Sequence, residues 1–403
     1  MLRFEDARQL VVTQAEIGKS VRPTITREVS DALGYVLADE VRTDREYPPF
    51  DRATRDGYAV RAGDAGAAKT LRCIAEIKAG DTVTSALPAG ACIQIMTGAA
   101  VPAGADAVVM IEFTSRDGDA ITFQRETKAG QNIVQRGSEA GAGEVALSPG
   151  LRLGFAELAI AAQVGAAKLV CYKKPRVAIL STGDEIVPVT ETPGPFQIRN
   201  SNSVSLGAQV RLAGGEPVLL GNAGDRVEEL SAKIELGLRE DILVLSGGVS
   251  MGKYDLVESV LKSLGAEFYF DAVAIRPGKP AVFGRVRDKL VFGLPGNPVS
   301  TMVTFQLFVI PTMDVLSGAP ARPLALPQAV LGEALHEKTG LTHFLPARIQ
   351  WESGRGVVKA LRWHGSGDIG SLGRANCFLV VPADRQDIAI GEMVSVILRG
   401  DVV

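Results

Sequence analysis

Residues 176–185 read R-V-A-I-L-S-T-G-D-E, a short unbroken apolar run that stops at a hydroxyl, glycine and acid. An apolar run without polar alternation describes a strand covered on both faces, and the small polar residues with glycine describe the turn that ends it. The pattern returns as D-I-L-V-L-S-G-G-V-S-M-G at 241–252 and as L-V-F-G-L-P-G-N-P at 290–298. Helix-like spacing separates these runs, from Ser201 to Ala213, through R-V-E-E-L-S-A-K-I-E-L-G-L at 226–238, from Asp255 to Leu264 and onward from Val299, with P-V-L-L-G at 217–221 as a further strand. Strand, turn and helix in alternation predict a doubly wound, mostly parallel α/β domain over 173–320, with ligands gathering at the carboxyl ends of its strands.

Outward from this domain the texture changes. Phe4 to Val21 carries Ala7, Leu10, Val11, Ala15 and Ile17 at helical spacing. S-D-A-L-G-Y-V-L-A at 30–38 presents a second helical face, with Ser30 or Asp31 as N-cap, and Phe155 to Val170 is alanine-rich and helical. Residues 1–40 and 150–172 therefore read as a helical stem. Between them, 41–149 is rich in short runs such as A-C-I-Q-I-M-T-G and A-D-A-V-V-M-I-E-F, which predict an inserted, mostly-β domain. After the proline-rich A-P-A-R-P-L-A-L-P at 319–327, residues 321–403 alternate as a small C-terminal β barrel or sandwich does. The fold class is multidomain α/β.

Composition narrows the function. The 403 residues hold 43 Lys and Arg against 46 Asp and Glu, a formal charge of −3, so no global field draws the chain to nucleic acid or to an anionic membrane. Cys73, Cys92, Cys171 and Cys377 lie far apart in sequence, without the spacing of a disulfide framework or zinc knuckle. The opening residues carry acids rather than a signal-peptide core, and the expected location is the cytoplasm. His336, His343 and His364 lack metal-ligand spacing, and neither a phosphate loop, a dinucleotide fingerprint nor a G-x-S-x-G elbow is present.

Chemistry is instead expected at the Gly-rich turns. Ser181, Gly183 and Glu185 follow the first strand; Ser246, Gly247, Gly248 and Ser250 the second; Pro295, Gly296, Asn297 and Pro298 the third. Glycine permits close backbone approach and a helix N-terminus attracts an anion, so three such turns on one sheet edge favour an anionic ligand the size of a phosphate or a pterin, although ordinary strand-to-helix turns explain any one of them. Asp184, Glu185, Asp225 and Asp255 supply carboxylates for a bridging hard cation such as Mg²⁺; helix capping is the alternative for Asp225 and Asp255. I-R-P-G-K-P at 275–280 directs Arg276 and Lys279 toward an oxyanion, or forms a solvated basic loop. Asp56-Gly57 and Thr97-Gly98 read as turns whose side chains satisfy nearby backbone.

Taken in order, D-G-Y-A (56–59), M-T-G-A-A-V-P-A-G-A-D-A-V-V (96–109), S-T-G-D-E (181–185), S-G-G-V-S-M-G-K-Y-D (246–255), R-P-G-K-P (276–280), L-P-G-N-P-V-S (294–300) and G-S-G-D-I-G-S-L-G-R-A-N (365–376) resemble the molybdopterin molybdenumtransferases, the family of bacterial MoeA and the gephyrin E domain. The resemblance implies four-domain subunits paired in a homodimer with a shared site. It implies Mg²⁺-dependent insertion of molybdate into adenylylated molybdopterin, releasing AMP and molybdenum cofactor. Matching positions make Asp56, Thr97, Glu185, Asp225 and Asp255 catalytic, the last three as metal ligands. Glu139, Arg276, Lys279, Pro295, Pro298 and Ser366 join the glycine turns in holding the substrate. A molybdopterin adenylyltransferase and apo-molybdoenzymes are the implied partners. Ala53 and Arg55 depart from the family's usual S-x-M, and Arg276 stands where lysine is frequent. An adenylyltransferase-like nucleotide enzyme and a non-catalytic cofactor carrier or scaffold are the rival readings.

Overall fold

The computed structural model describes residues 1–17, 22–83, 85–248 and 256–402. Its central sheet runs, in spatial order, Glu216–Ala223, Arg176–Thr182, Ile242–Ser246, Lys289–Leu294, Val282–Val286 and Glu267–Phe270. The first four strands are parallel and the last two complete an antiparallel edge. All five residues of Ile242–Ser246 are buried, which is why the sequence shows no alternation there. From Arg176–Thr182 the chain crosses through helix Ser201–Leu212 to one neighbour, then returns through helix Val227–Gly237 to the other. The crossovers thus diverge at the ends of Arg176–Thr182 and Ile242–Ser246, and that switch point opens a crevice. Leu206, Val210, Phe305 and Phe308 fill one face of the sheet and Leu230, Ile234, Val257 and Leu261 the other.

The first helix, Phe4–Ile17, buries Phe4, Ala7, Val11 and Ala15 in the α/β core beside Val309 and Met313. Its apolar stripe needed a cover, and the long helix of this domain provides it, so the helix is not part of the stem. The stem itself is a three-stranded antiparallel sheet of Thr24–Glu28, Lys168–Tyr172 and Val36–Leu37 with the helix Phe155–Gln163. The helix expected over 30–38 is only a single turn, Val29–Asp31, followed by strand: Gly34 at φ 76° ends the turn and Val36 enters the sheet. Likewise the helix expected to Val170 stops at Gln163, and Gly165 (φ 79°) releases K-L-V-C-Y to pair with both neighbours.

Residues 41–149 hold a six-stranded sheet in the order Ala107–Met110, Gly57–Val60, Ala91–Ile95, Thr70–Ile77, Ala120–Phe123 and Thr114–Asp117. Ile93, Ile95 and Val108 pack one face, Tyr58, Cys92 and Phe123 the other. Cys73 and Cys92, distant in sequence, are register partners on adjacent strands, and burial pushes the Cys92 thiol up to about 12. All four cysteines are free.

The C-terminal domain is a closed barrel in which Thr342–Glu352, Arg355–Ala360, Gln328–Leu331, Met393–Leu398 and Cys377–Val381 pair in sequence around the ring and back to the first. Ile275–Arg276 adds to it in parallel at Thr342 and His343, which fastens the R-P-G-K-P segment against the barrel. The helix Pro298–Leu316 is apolar and long enough to cross a membrane by composition, yet most of it is buried in the core. Midway, Phe305–Val309 widens to a π turn. Near its end the buried Asp314 carboxylate accepts from Arg152 Nη2 at 3.0 Å and from Arg322 Nε and Nη2 at 2.7 and 2.6 Å, tying stem, helix and linker together.

Candidate active site

The strand Arg176–Thr182 ends in buried Ser181, whose Oγ donates to Asn200 Oδ1 at 3.1 Å. The same Asn200 oxygen accepts from Ser203 N at 3.0 Å and so caps helix Ser201–Leu212. Two residues on, Asn202 Nδ2 donates to Ser246 Oγ at 2.9 Å and to Gly296 O at 2.7 Å, linking the second and third turns. Gly247 and Gly248 take φ of 92° and 62°, and an added Cβ would stand 2.7 Å from Thr182 O and 2.6 Å from Thr182 Oγ1 respectively. Only glycine allows this approach. Ser181, Gly183, Ser246, Gly247, Gly248 and Gly296 are thereby gathered at the switch point, where Thr182 Oγ1 is buried without a partner among the described residues.

The acids occupy one corner of it. Asp184 Oδ1 accepts from Asp225 N at 3.0 Å. Desolvation, and then the charges of Asp184 and Glu185, hold the Asp225 carboxyl above its ordinary value. Capping does not account for Asp225, because the cap position of helix Val227–Gly237 is Arg226 and no side chain caps it. Ser250 and Asp255 lie outside the described residues, and among the described residues no three His, Cys, Asp or Glu side chains form a metal cage. Glu185 and Asp225 still fit a hard divalent cation, being oxygen donors whose mutual repulsion such an ion relieves.

The cations face a separate cleft of about 420 Å³, lined among others by Arg276, Lys279, Pro295, Asn297, Trp363 and Ser366. Asn297 Nδ2 donates to Ser366 Oγ at 2.8 Å, and Ser366 O accepts from Val299 N at 3.1 Å, beside Pro298 at the start of the helix. These bonds bring the G-S-G-D turn of the C-terminal domain onto the L-P-G-N-P turn of the α/β domain. Arg276 and Lys279 are exposed, and among the described residues neither side chain has an ion pair or a hydrogen bond. The cleft therefore holds two cations whose charge is not neutralised by those residues.

A third set lies in the inserted domain. Asp56 Oδ1 accepts from Thr97 N at 2.6 Å and from Thr97 Oγ1 at 2.8 Å, which holds its carboxyl below the usual value. Glu139 pairs with Arg52 at 3.1 Å, and the neighbouring Ala53 bonds Gly98 and Ala99 through its backbone, so the three residues share one edge. Among the described residues no hydrogen bond or ion pair joins 41–149 to 173–320. Sequence reasoning missed Asn200, Asn202 and Trp363. The run R-N-S-N-S at a helix start signals a cap at Asn200; nothing in the sequence marks the other two.

Models of the MoeA N-terminal region (domains I and II), a probable molybdopterin binding domain and the MoeA C-terminal region (domain IV) match residues 2–165, 178–315 and 328–398. The molybdopterin molybdenumtransferase of Bacillus subtilis is 34% identical over 382 residues, covering 92% of this chain and 88% of that one. Its counterpart from Haemophilus influenzae is 32% identical over 405 residues, covering 98% of both. The crystal structure of the molybdopterin biosynthesis MoeA protein from Pyrococcus horikoshii OT3 superposes with a TM-score of 0.79 at 30% identity, over 99% of this chain and 100% of that one. A likeness that runs from the stem to the barrel and takes in both the Asp56 edge and the converging turns leaves no segment for an unrelated architecture: the chain belongs to the molybdopterin molybdenumtransferase family of enzymes.

Proposed function

We propose that the chain acts in molybdenum cofactor biosynthesis, inserting molybdate into adenylylated molybdopterin and releasing AMP, with Mg²⁺ assisting. The observation that carries this reading is the cleft in which Arg276 and Lys279 face Ser366 and Asn297 without a neutralising acid among the described residues. Molybdate is a dianion and the phosphates are anionic, and two fixed cations orient both while the oxyanion charge redistributes. Gly247, Gly248 and Gly296 let substrate approach the backbone at the switch point. Glu185 and Asp225, with Asp255, would hold Mg²⁺, which when bound supplies Lewis-acid stabilisation of phosphate charge.

Among the described residues no hydrogen bond or ion pair joins Asp56, Thr97 and Glu139 to these turns, which supports completion of the site by a second subunit in a homodimer. The apolar stripe of the first helix is spent inside the chain, but Phe155, 87% exposed, and Ile160 remain on the stem for such a contact. Sedimentation at micromolar concentration tests this, and a stable monomer overturns it. The four free cysteines suit the reducing cytoplasm. The substrate would come from an adenylyltransferase and the product would pass to apo-molybdoenzymes. Incubation with adenylylated molybdopterin, molybdate and Mg²⁺ tests the activity: molybdate-dependent AMP release supports it, and retention of the adenylylated compound without turnover replaces it with a carrier.

A further inference from the structure

The chain has two tryptophans in very different settings. Trp351 is 74% exposed on the barrel strand Thr342–Glu352. Trp363 is half-buried, packs against both the α/β core and the barrel core, and also lines the cleft that holds Arg276 and Lys279. Its backbone is pinned on both sides: Leu361 N donates to Pro346 O at 2.8 Å, and His364 N to Asp368 Oδ2 at 3.1 Å. Asp368 also caps the helix Ile369–Arg374. Among the described residues the indole stacks on no ring, meets no cation and makes no hydrogen bond. An aromatic group held this firmly loses little freedom when a ligand lies on it.

A rigid indole beside two unneutralised cations is a combination suited to a flat heterocycle that carries a phosphate: the ring offers a π face and the cations take the oxygens. We propose that Trp363 is the stacking platform for the fused nitrogen heterocycle of the substrate, whose phosphate lies toward Arg276 and Lys279. This rests on the cleft being the substrate site. The heterocycle has two possible sources, the adenine and the pterin, and both present a phosphate-bearing fused ring.

The experiment uses a Trp351→Phe variant of the full chain, in which Trp363 is the sole indole. It is titrated separately with AMP, a pterin monophosphate, inorganic phosphate and molybdate, with fluorescence as one readout and calorimetry as the other. Saturable quenching by AMP identifies adenine as the ring on the platform, and quenching by the pterin identifies the pterin; phosphate and molybdate bind without comparable quenching. Trp363→Ala weakens the heterocyclic ligand by roughly tenfold or more and leaves phosphate affinity unchanged. Trp363→Phe, which preserves the packing between the two cores, retains most of the heterocycle affinity. If phosphate and molybdate bind but neither heterocycle quenches, the platform is refuted while the cleft stands. If no anion binds at all, the reading of the cleft falls, and the platform with it.

Discussion

Replacing Lys279 with alanine removes one of the two cations that face the cleft with no acid to neutralise them among the described residues. An oxyanion entering there breaks no existing ion pair with those residues, so the attraction is offset only by desolvation. At a contact distance of about 4 Å and an effective dielectric of about 20, two unit charges attract by about 4 kcal/mol. Both side chains are exposed, and screening by water reduces this to about 1 kcal/mol. That figure corresponds to a rise of roughly fivefold in the molybdate concentration giving half-maximal AMP release. Arg276→Ala should act similarly, and because both cations face one anion the double variant should not be additive. Lys279→Arg keeps the charge and should recover most of the loss. The assay is the initial rate of AMP release against molybdate concentration. Half-saturation within twofold of the parent chain for both single variants would refute the reasoning, and the anion would then have to be bound by Ser366 and the Ser246 turn.

Three further outcomes are expected. Asp225→Asn should slow AMP release by roughly two orders of magnitude if the carboxylate holds the cation. It should not lower the melting temperature: the raised carboxyl penalises the folded state above its pKa, so any gain from Asn is present at neutral pH and vanishes below the ordinary value of 3.8, as calorimetry across pH would record. Thr97→Val removes the Oγ1 donor that helps depress the Asp56 carboxyl, so its titration followed by NMR should move up toward 3.8; in the parent chain this stabilisation is present at higher pH and is lost as pH falls through the depressed value. Asp314→Asn leaves Arg152 and Arg322 without their buried partner and should cost about 3 to 5 kcal/mol in urea unfolding, a loss below about 1 kcal/mol being incompatible with the network.

What was legible in the sequence depended on whether a residue's partner was near it in the chain. V-A-I-L and I-L-V-L announce buried parallel strands on their own, and the glycines that end them announce the turns, so the α/β domain could be read directly. The stripe Phe4, Ala7, Val11 and Ala15 announced that something covers it, but only the fold says that this is the helix of the α/β domain rather than the stem. Between Ser30 and Ala38 a helical apolar pattern competed with Gly34 and with pairing to Lys168–Tyr172, and the distant strand won. Asp56 and Thr97 were each visible as turn residues, whereas their bond spans 41 positions and has no local signature. Asn202 and the pairing of Cys73 with Cys92 were hidden for the same reason.

The π turn at Phe305–Val309 separates two ends of one helix that answer to different masters. The first end sets Asn297 and Ser300 at the cleft; the last sets Asp314 between Arg152 and Arg322. Each helical residue advances the chain by about 100°, so the wide turn, which accommodates one residue more than a regular helix, fixes the rotational phase between those ends. Deleting a single residue from 305–309 would remove that extra residue and leave a regular helix whose two ends keep nearly their present phase, whereas deleting one from the regular turns on either side would swing the far end by about 100°. A one-residue deletion in the linker 319–327, where no helical phase is carried, would be absorbed locally. Tolerance to length change is thus low in the regular turns that flank the wide one, and a helix shortened there would show its defect as a misaligned cleft.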